Sequence, residues 1–429
     1  MQYFRIITLG CKVNQCESAF LEQELEKSGW EKVEKGRHVD LVIINTCIVT
    51  QKASHQSRQE IRRAIRENPN AYVIVTGCYP QVYPEEIISI KGINLIIGNK
   101  GKEKIPELIN RLSYSDTKLL VETFSKLEPF ICMRSDRFFN RSRAFLKIQD
   151  GCESFCSYCI VPYARGPYRS MKIKDVLYSI EQLSEKGYKE IVLTGIHLGK
   201  YGIDTGESLE ELLNEIGKQG YPVRIRLSSI EPNEVSDLLI ELVAEQEFLC
   251  KHFHIPLQSG DNRILSRMNR KYTREQFSEI VRKIKEKIPL AGIGTDVMVG
   301  FPGEDEQAFK NTLSLVKGLP LSYIHVFPYS DRPKTTASHF KDKLSSEIIK
   351  KRAKLLREAG KKKREEFIEL CNKKVFEVVV ESKHQNGFFK GITDNYIKVI
   401  FPCSDEKKEQ YLRVQIEGVK KGLVLGRPV

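Results

Sequence analysis

Short apolar runs recur along the first hundred residues, and stretches with a helical spacing of apolar positions separate them. The runs span Tyr3–Gly10, Leu41–Thr46, Tyr72–Gly77 and Ile93–Gly98, and the helical stretches lie near 16–28 and 52–67. Val and Ile dominate these runs, which is typical of parallel strands buried on both faces. The order of elements predicts an α/β domain built on a doubly wound parallel sheet.

Strand and helix patterns alternate again, on a larger scale, after Arg143. Strands are predicted at 144–149, 190–194, 223–227, 252–256, 294–299 and 323–327, and helices near 172–186, 208–219, 233–246, 273–287 and 304–317. Six β/α units predict a partial (β/α)6 barrel that is open on one side. In such barrels the reactive groups lie at the carboxyl ends of the strands.

The remaining segments have different patterns. Residues 114–137 mix Ser, Asp, Lys and Pro without periodicity, and a helical stretch at 341–374 is rich in Lys and Arg. Short strands follow it, which predicts a small C-terminal β-barrel. We therefore predict an N-terminal domain, a linker, a barrel core and a C-terminal barrel, at 1–113, 114–137, 138–370 and 371–429.

Composition narrows the classes of protein. The 429 residues contain no apolar run of about 18 residues, so no membrane helix is predicted. The first residues read as a strand rather than a secretory signal, and we expect a cytoplasmic protein. Eleven cysteines in such a chain indicate reduced thiols, metal ligands or catalysis. The net charge of +13 favours a polyanionic partner such as a nucleic acid.

Three cysteines crowd into the short stretch Cys152-Glu-Ser-Phe-Cys156-Ser-Tyr-Cys159. A structural zinc site needs four ligands, so zinc here would require a distant residue such as His197 or Cys132. Cubic iron–sulfur clusters also take four ligands, and three cysteines leave one iron open to bind a substrate. The spacing resembles the signature of the radical S-adenosylmethionine (SAM) enzymes, in which the open iron chelates SAM.

Three further cysteines each follow one of the N-terminal strands directly, namely Cys11, Cys47 and Cys78. The carboxyl ends of parallel strands converge, so these side chains are expected to meet in space. One cysteine alone would be read as a small buried apolar residue. Three at equivalent positions predict a second three-cysteine metal site, with Cys16 as a rival ligand to Cys11.

Polar and glycine residues follow the later barrel strands at the predicted mouth. Together with Tyr158 of the cysteine stretch, we expect cofactor contacts from Gly195, Ser229, Glu231, Gln258 and Gly300. Each glycine cluster alone is more often a turn, and the common position on one rim is what indicates a site. His252 and His254 share one face of a strand, which permits a metal pair, although core or rim histidines are the simpler interpretation.

These motifs together resemble the radical-SAM methylthiotransferase family nearly from end to end. The matching stretches are Thr8-Leu-Gly-Cys11-Lys-Val-Asn14-Gln, Asn45-Thr-Cys47-Ile-Val-Thr, Gly77-Cys78-Tyr-Pro-Gln81, Gly151-Cys152, Cys156-Ser-Tyr-Cys159-Ile-Val-Pro162, Arg165-Gly166, Arg169-Ser170, Leu193-Thr-Gly195, Arg226-Leu-Ser-Ser-Ile-Glu-Pro232, His254-Ile-Pro-Leu-Gln-Ser-Gly260 and Gly300-Phe-Pro-Gly-Glu304. The tail is similar to the TRAM module, an RNA-binding β-barrel.

The resemblance implies two 4Fe-4S clusters and SAM as cofactors. Cys152, Cys156 and Cys159 would hold the cluster that cleaves SAM. Cys11, Cys47 and Cys78 would hold an auxiliary cluster that carries the sulfur. One SAM would methylate this sulfur, and a second would give the deoxyadenosyl radical that abstracts hydrogen from an unreactive carbon.

The first motif narrows the implied substrate. Gly-Cys-Lys-Val-Asn resembles the branch acting on N6-threonylcarbamoyladenosine in the anticodon stem-loop of tRNA, whereas the isopentenyladenosine branch more often has Gly-Cys-Gln-Met-Asn. Flavodoxin or ferredoxin would donate electrons. The alternatives are isopentenyladenosine in tRNA, an aspartate of a ribosomal protein, or radical-SAM chemistry with an electron-relay second cluster. A non-catalytic RNA-binding protein with structural zinc is the alternative from another class.

Overall fold

The computed structural model describes residues 2–34, 36–109, 116–137, 142–384, 387–403, 411–420 and 422–429. The chain divides into two compact units. The first comprises Met1–Arg137, Gln149–Met171 and Ser330–Ser338, and the second comprises Phe138–Ile148, Lys172–Tyr329 and His339–Val429. The cysteine stretch 152–159 therefore belongs to the same unit as the N-terminal cysteines.

A six-stranded parallel sheet forms the centre of the first unit. Its strands are β1 (Gln2–Thr8), β2 (Trp30–Lys32), β3 (Leu41–Thr46), β4 (Tyr72–Gly77), β5 (Leu95–Ile97) and β6 (Lys118–Leu120). They lie in the order β2-β1-β3-β4-β5-β6. The chain moves outward in opposite directions from β1 and β3, so the topological switch point lies between these two strands.

Helices cover both faces of this sheet, as predicted for a doubly wound domain. They are α1 (Lys12–Lys27), α2 (Gln51–Glu67), α3 (Cys78–Val82), α4 (Pro84–Ile88) and α5 (Ile105–Leu108). Alternate residues of β3 enter separate cores: Val42 packs with Ile61 of α2, whereas Ile43 packs with Leu21 of α1. Successive strand side chains point to opposite faces, and both faces are apolar, which explains the unbroken Val/Ile runs.

Two strands of this sheet were missed in the sequence. β2 is three residues long and has one buried residue, Trp30. β6 lies within 114–137, the predicted linker, and pairs with β5 at the sheet edge. Both are edge strands with partly exposed side chains, so neither has the apolar run by which the other strands were recognised.

The second unit contains a partial barrel of parallel strands, as predicted. These are β7 (Arg143–Lys147), β10 (Glu190–Thr194), β11 (Arg224–Leu227), β12 (His252–His254), β13 (Gly292–Val299) and β14 (Tyr323–Pro328). β7, β10 and β11 form one three-stranded sheet, and β12, β13 and β14 form another. Isolated bridges, including Ser229 to His254, connect β11 with β12.

The helices of this barrel follow the predicted alternation. They are α7 (Ile173–Glu185), α8 (Leu209–Gln219), α9 (Asp237–Glu245), α10 (Asn262–Arg267), α11 (Arg274–Lys287), α12 (Glu306–Gly318) and the long basic α13 (Ser346–Leu370). Side chains of Ser208 and Thr273 begin α8 and α11 as capping boxes. Each hydroxyl satisfies a free backbone N–H of the first turn, so these sequence positions define where the helices start.

The C-terminal residues form a closed five-stranded barrel, as predicted. Its strands are β15 (Val375–Lys383), β16 (Phe388–Thr393), β17 (Lys398–Pro402), β18 (Tyr411–Lys420) and β19 (Leu423–Pro428). They close in the order β15-β16-β17-β19-β18. Its core includes Phe389, Phe401 and Val414, together with Cys371 at the end of α13.

A buried ion network fixes this barrel to the partial barrel within the second unit. Glu190 accepts from Arg224 Nε at 2.7 Å and from Arg226 Nε at 2.8 Å. The same two guanidinium groups donate to backbone carbonyl groups of Ile392 and Thr393 in the C-terminal barrel. Burial opposes ionisation of Glu190, but Arg226 and Arg224 hold its pKa well below the usual carboxyl range.

Two further observations concern the predicted organisation. No helix among the described residues is long and apolar enough to cross a membrane. The boundary predicted between 113 and 114, and the start of the core at 138, lie outside the described residues. The domain limits therefore stay a prediction.

Candidate functional site

Cys11, Cys47 and Cys78 follow β1, β3 and β4, which are adjacent in the sheet. Cys11 caps the start of α1, and Cys78 is the first residue of α3. The three cysteines therefore stand at the carboxyl ends of neighbouring strands, beside the switch point, where ligands bind in open α/β sheets. This placement is what the strand-end positions predicted.

Two glycines allow the strand ends to approach this closely. Gly10 has a φ of +97°, and a side chain there would lie 2.9 Å from Cys47 Sγ. Gly77 has a φ of +104°, and its Cβ would lie 2.5 Å from the carbonyl oxygen of Thr46. Only glycine fits both the backbone angle and the space, so the residues before Cys11 and Cys78 are constrained by the meeting of the strands.

The thiols of this N-terminal set influence one another's ionisation. Burial raises the pKa of Cys47 to about 12, and the negative charges of Cys78 and Cys11 add to the rise. Desolvation of the thiol also raises the pKa of Cys11, although the residue as a whole is exposed, and Arg165 opposes this rise. Thiolates that repel one another in this way are unfavourable without a cation, and a metal centre supplies the positive charge that stabilises them. The donor set therefore fits an iron–sulfur cluster with one open iron.

Cys16, the rival ligand, lies further along α1 and is buried. Asn14 marks the face of α1 next to the cysteines, because its Oδ1 lies 4.0 Å from Cys11 Sγ. Cys16 is two residues further on, which places it about 200° around the helix from Asn14. This geometry favours Cys11 as the third ligand.

Three asparagines hold the cysteine-bearing ends together. Asn14 Nδ2 donates to the carbonyl oxygens of Leu9 and Thr46, at 2.7 and 3.0 Å. Asn99 Nδ2 lies 3.4 Å from Cys78 Sγ and donates to the carbonyl oxygen of Ala164 at 2.7 Å. Asn45 Nδ2 donates to the carbonyl oxygen of Asn14. These bonds replace water at buried polar groups and fix the positions of all three strand ends.

A buried group of charges lies beside the same cysteines. Arg165 comes from α6 (Val161–Arg165) and pairs with Glu17, whose carboxylate also pairs with Lys102 at 2.6 Å. Asp150 lies 3.3 Å from the Arg165 guanidinium. Burial would lower the pKa of Arg165, but Glu17, Cys78 and Asp150 hold it well above its ordinary value. Arg165 Nε is buried without an acceptor among the described residues, which leaves a donor for a cluster sulfur.

The cysteine stretch 152–159 lies in the first unit, and α6 begins two residues after Cys159. It begins after the short strand β8 (Gln149–Asp150), which pairs with β9 (Arg169–Ser170). The N–H of Cys159 donates to the carbonyl oxygen of Cys156 at 2.9 Å, and that of Cys152 donates to Gly166. These backbone hydrogen bonds fix the two ends of the cysteine stretch.

The two residues proposed to complete a zinc site have other contacts. His197 Nε2 lies 2.8 Å from Glu234 Oε1, in the second unit. Cys132 Sγ accepts from Arg134 Nε at 3.0 Å, in the first unit. These contacts give no support for either side chain as a fourth zinc ligand.

The strand-end residues predicted to contact a cofactor divide between the units. Tyr158 is half-buried in the first unit. The other five lie in the second unit. Gly195 follows β10, Ser229 and Glu231 follow β11, Gln258 follows β12, and Gly300 follows β13. Gln258 has a φ of +59°, and Glu231 forms an ion pair with Arg270. Their role as cofactor contacts stays a prediction.

The histidines of β12 do not pair with each other as the sequence permitted. His254 instead groups with Asp296 and His325 of the next two strands, all three ligand atoms lying within 4.8 Å. Asp296 Oδ1 lies 3.1 Å from His254 Nε2 and 3.2 Å from His325 Nδ1. The Tyr323 hydroxyl contacts both His252 and His254. Both ring nitrogens of His254 therefore have partners, namely the Tyr323 hydroxyl and the Asp296 carboxylate.

Sequence reasoning assigned no role to the polar residues around the N-terminal cysteines. Asn14 and Glu17 are three residues apart and buried in α1, which is a detectable departure from an apolar helix face. Asn99 lies in a bend and Lys102 begins a three-residue 3-10 helix, and both segments are too short to show a periodicity that would identify them.

Two family models match this chain. Residues 3–98 match the family described as Uncharacterized protein family UPF0004, and residues 146–316 match the Radical SAM superfamily. Among solved structures, the radical S-adenosylmethionine methyltransferase TsrM from Kitasatospora setae has a TM-score of 0.58 at 16% identity, covering 79% of this chain and 77% of that chain. This likeness concerns the fold alone.

Curated relatives match along nearly the whole chain. The threonylcarbamoyladenosine tRNA methylthiotransferases MtaB of Aquifex aeolicus and Bacillus subtilis are 40% and 38% identical, over 95% of this chain and 97% and 92% of those proteins. The tRNA-2-methylthio-N(6)-dimethylallyladenosine synthase of Pseudothermotoga lettingae is 33% identical, over 98% of this chain and 97% of that protein. With both domain matches and both cysteine sets, the chain belongs to the radical-SAM methylthiotransferase family.

Proposed function

We propose that the protein adds a methylthio group to C2 of N6-threonylcarbamoyladenosine at position 37 of tRNA, beside the anticodon. Five relatives at 34–40% identity carry the name of this activity, which supports the substrate. The observation that carries the proposal is the presence of two three-cysteine sets in one compact unit. Each set offers three ligands and leaves one coordination position for a reactant.

Each set would hold its own 4Fe-4S cluster. Cys152, Cys156 and Cys159 would hold the cluster that binds SAM, and Cys11, Cys47 and Cys78 would hold the auxiliary one. When bound, the first supplies the electron for SAM cleavage and the second supplies the sulfur. Tyr158, Gly195, Ser229, Glu231, Gln258 and Gly300 are the proposed contacts to SAM.

The chain contributes position, charge and exclusion of water. Cys47 and Cys78 are 6% and 8% exposed, whereas Cys11 is an exposed residue, so the chain shields two of the three thiols from water. The Asn14 and Asn99 amides fix the strand ends, while Arg165 and Lys102 place positive charge beside a centre with three thiolates. No acid–base side chain activates an adenine C2–H, so the protein's task is to orient the nucleoside toward cofactor chemistry.

The C-terminal barrel is the proposed holder of the tRNA body. Its wall carries exposed cations on three of its strands: Lys390 on β16, Lys398 on β17, and Arg413 and Lys420 on β18. Such side chains bind phosphates without regard to sequence, which suits a structured RNA. An electron donor such as flavodoxin or ferredoxin would supply the electrons, and the reaction would take place in the cytoplasm.

Nucleoside analysis tests the substrate. The reconstituted protein is incubated with SAM and a reductant, together with anticodon stem-loops bearing threonylcarbamoyladenosine or isopentenyladenosine, and digests are examined by mass spectrometry. We expect a methylthio product on the first RNA alone. A product on the isopentenyl RNA alone would contradict the proposal. A colourless, zinc-loaded protein that cleaves no SAM would instead identify a non-catalytic RNA-binding protein.

A further inference from the structure

A groove of about 590 Å³ opens in the first unit beside the N-terminal cysteines. Its lining comes from the start of α2, from α3 and α4, and from the segment Ser330–Ser338. Gln51 of the lining lies four residues after Cys47, and Tyr79 follows Cys78 directly. The groove therefore lies next to the proposed auxiliary cluster, and its volume suits a nucleotide.

The groove is lined by a buried arginine, Arg332, that has no carboxylate partner among the described residues. Arg332 is 4% exposed, and among the described residues no carboxylate lies within ion-pair distance of it. Its Nη2 donates to Ser54 Oγ at 2.9 Å, whereas its Nε is buried without an acceptor. A buried guanidinium that lacks an anion is costly, so a bound anion would relieve this cost.

Two neighbours add to the positive potential. Lys52 is exposed at the rim, and no ion pair of it occurs within the described ranges. The 17-residue helix α2 begins with Gln51, Lys52 and Ser54 along the groove, so the positive end of its dipole lies there. Arg58 is the one lining cation with a carboxylate partner, Glu86 at 3.1 Å.

We propose that this groove binds a backbone phosphate of the tRNA anticodon loop, with Arg332 as its buried contact and Lys52 at its rim. The tyrosines of the lining do not stack on bases, because Tyr79 and Tyr83 are buried and Tyr83 donates to the Pro333 carbonyl oxygen. The contact therefore reads the backbone and not the sequence. It holds the loop beside the sulfur-bearing centre, and in this respect it rests on the proposed function.

Binding of a fluorescent anticodon stem-loop to the full-length reconstituted protein tests this site. Arg332→Gln is compared with Lys52→Ala and with Arg62→Ala, which changes an exposed cation of helix α2 outside the lining. Arg63→Ala, which changes a partly exposed cation of α2 paired with Glu67, is a second control. We expect both groove variants to weaken binding several-fold and to reduce the salt slope by about one, equally for modified and unmodified loops. Arg62→Ala and Arg63→Ala should bind as the parent does.

Unchanged affinity and salt slope in both groove variants would overturn the proposal. So would an altered auxiliary-cluster spectrum in Arg332→Gln with normal RNA binding, because Arg332 would then serve the cluster. If Arg332→Gln does not fold, the RNA affinities of Lys52→Ala and Lys52→Glu test the proposal instead. Charge reversal in Lys52→Glu should weaken RNA binding more than Lys52→Ala does. Failure of the proposed function would appear separately, as RNA binding that depends on the groove without a methylthio product.

Discussion

Arg165 Nη1 lies 2.5 Å from Glu17 Oε1 inside the first unit, where both side chains are almost completely buried. This pair joins the segment after the cysteine stretch 152–159 to the helix that begins after Cys11. The carbonyl oxygen of Ala164, one residue earlier, accepts from Asn99, which also contacts Cys78. Through α6, the chain therefore connects the two cysteine sets by short, buried contacts.

Arg165→Met should destabilise the apoprotein by about 3–5 kcal/mol, because it leaves the Glu17 carboxylate with one buried partner fewer. Chemical denaturation followed by circular dichroism measures this free energy. Arg263→Met, which breaks the exposed pair with Asp305, is the matched control and should cost less than about 1 kcal/mol. Equal effects in the two variants would show that the buried pair has no special contribution.

Cys78→Ala should abolish methylthio transfer and leave reductive SAM cleavage within about twofold of the parent, since it removes one ligand of the auxiliary set alone. Deoxyadenosine and methylthio nucleoside are measured in the same reaction. Cys371→Ala, at a cysteine in the core of the C-terminal barrel, is the control and should retain both products. Loss of both products in Cys78→Ala, with normal folding, would contradict independent clusters.

Arg226→Met should loosen the C-terminal barrel from the partial barrel. The change removes donors to the carbonyl oxygens of Thr393 and Asp394 and leaves Glu190 less compensated. Hydrogen exchange should increase in β16 and β11 relative to the rest of the second unit. Exchange that rises evenly over the whole unit would mean that the network stabilises the fold without fixing the barrel.

We expect the partly buried Lys285 to make the free energy of unfolding depend on pH in the alkaline range. Burial lowers its pKa from 10.5 to about 8, with the ammonium group lying 4.7 Å from the Phe367 ring centroid. Between these values the unfolded chain binds the proton more tightly than the folded one, so stability rises with pH through this window. Between pH 7.5 and 9.5 the free energy of unfolding of the parent should therefore rise relative to that of Lys285→Met, as measured by chemical denaturation at both pH values. A constant difference between the two proteins would contradict the prediction.

The main sheet and the cysteine positions were predictable because they produce local patterns. Val/Ile runs such as Leu41–Thr46 are buried on both faces, and a cysteine directly after such a run must stand at the ligand-binding end of the sheet. β6 was not predictable, since its pairing with β5 lies at an edge and depends on tertiary contacts.

Contacts between side chains far apart in the sequence were harder to predict than the positions of strands. Arg165 stands in a recognisable motif, but its contact with Glu17 spans 148 residues and depends on how α6 packs against α1. The group of His254, Asp296 and His325 likewise depends on the register of three neighbouring strands. Sequence periodicity gives the face of a strand and not its register, so these groupings required the structure.

The most direct test of two clusters on separate cysteine sets is the iron and sulfide content of the anaerobically reconstituted protein. Visible and paramagnetic-resonance spectra are recorded for the parent and for a variant with Cys152, Cys156 and Cys159 all changed to Ala. We predict about eight irons in the parent and about four in the variant, as two cubic clusters require. About four irons in the parent and none in the variant would leave Cys11, Cys47 and Cys78 without a cluster and would contradict the account.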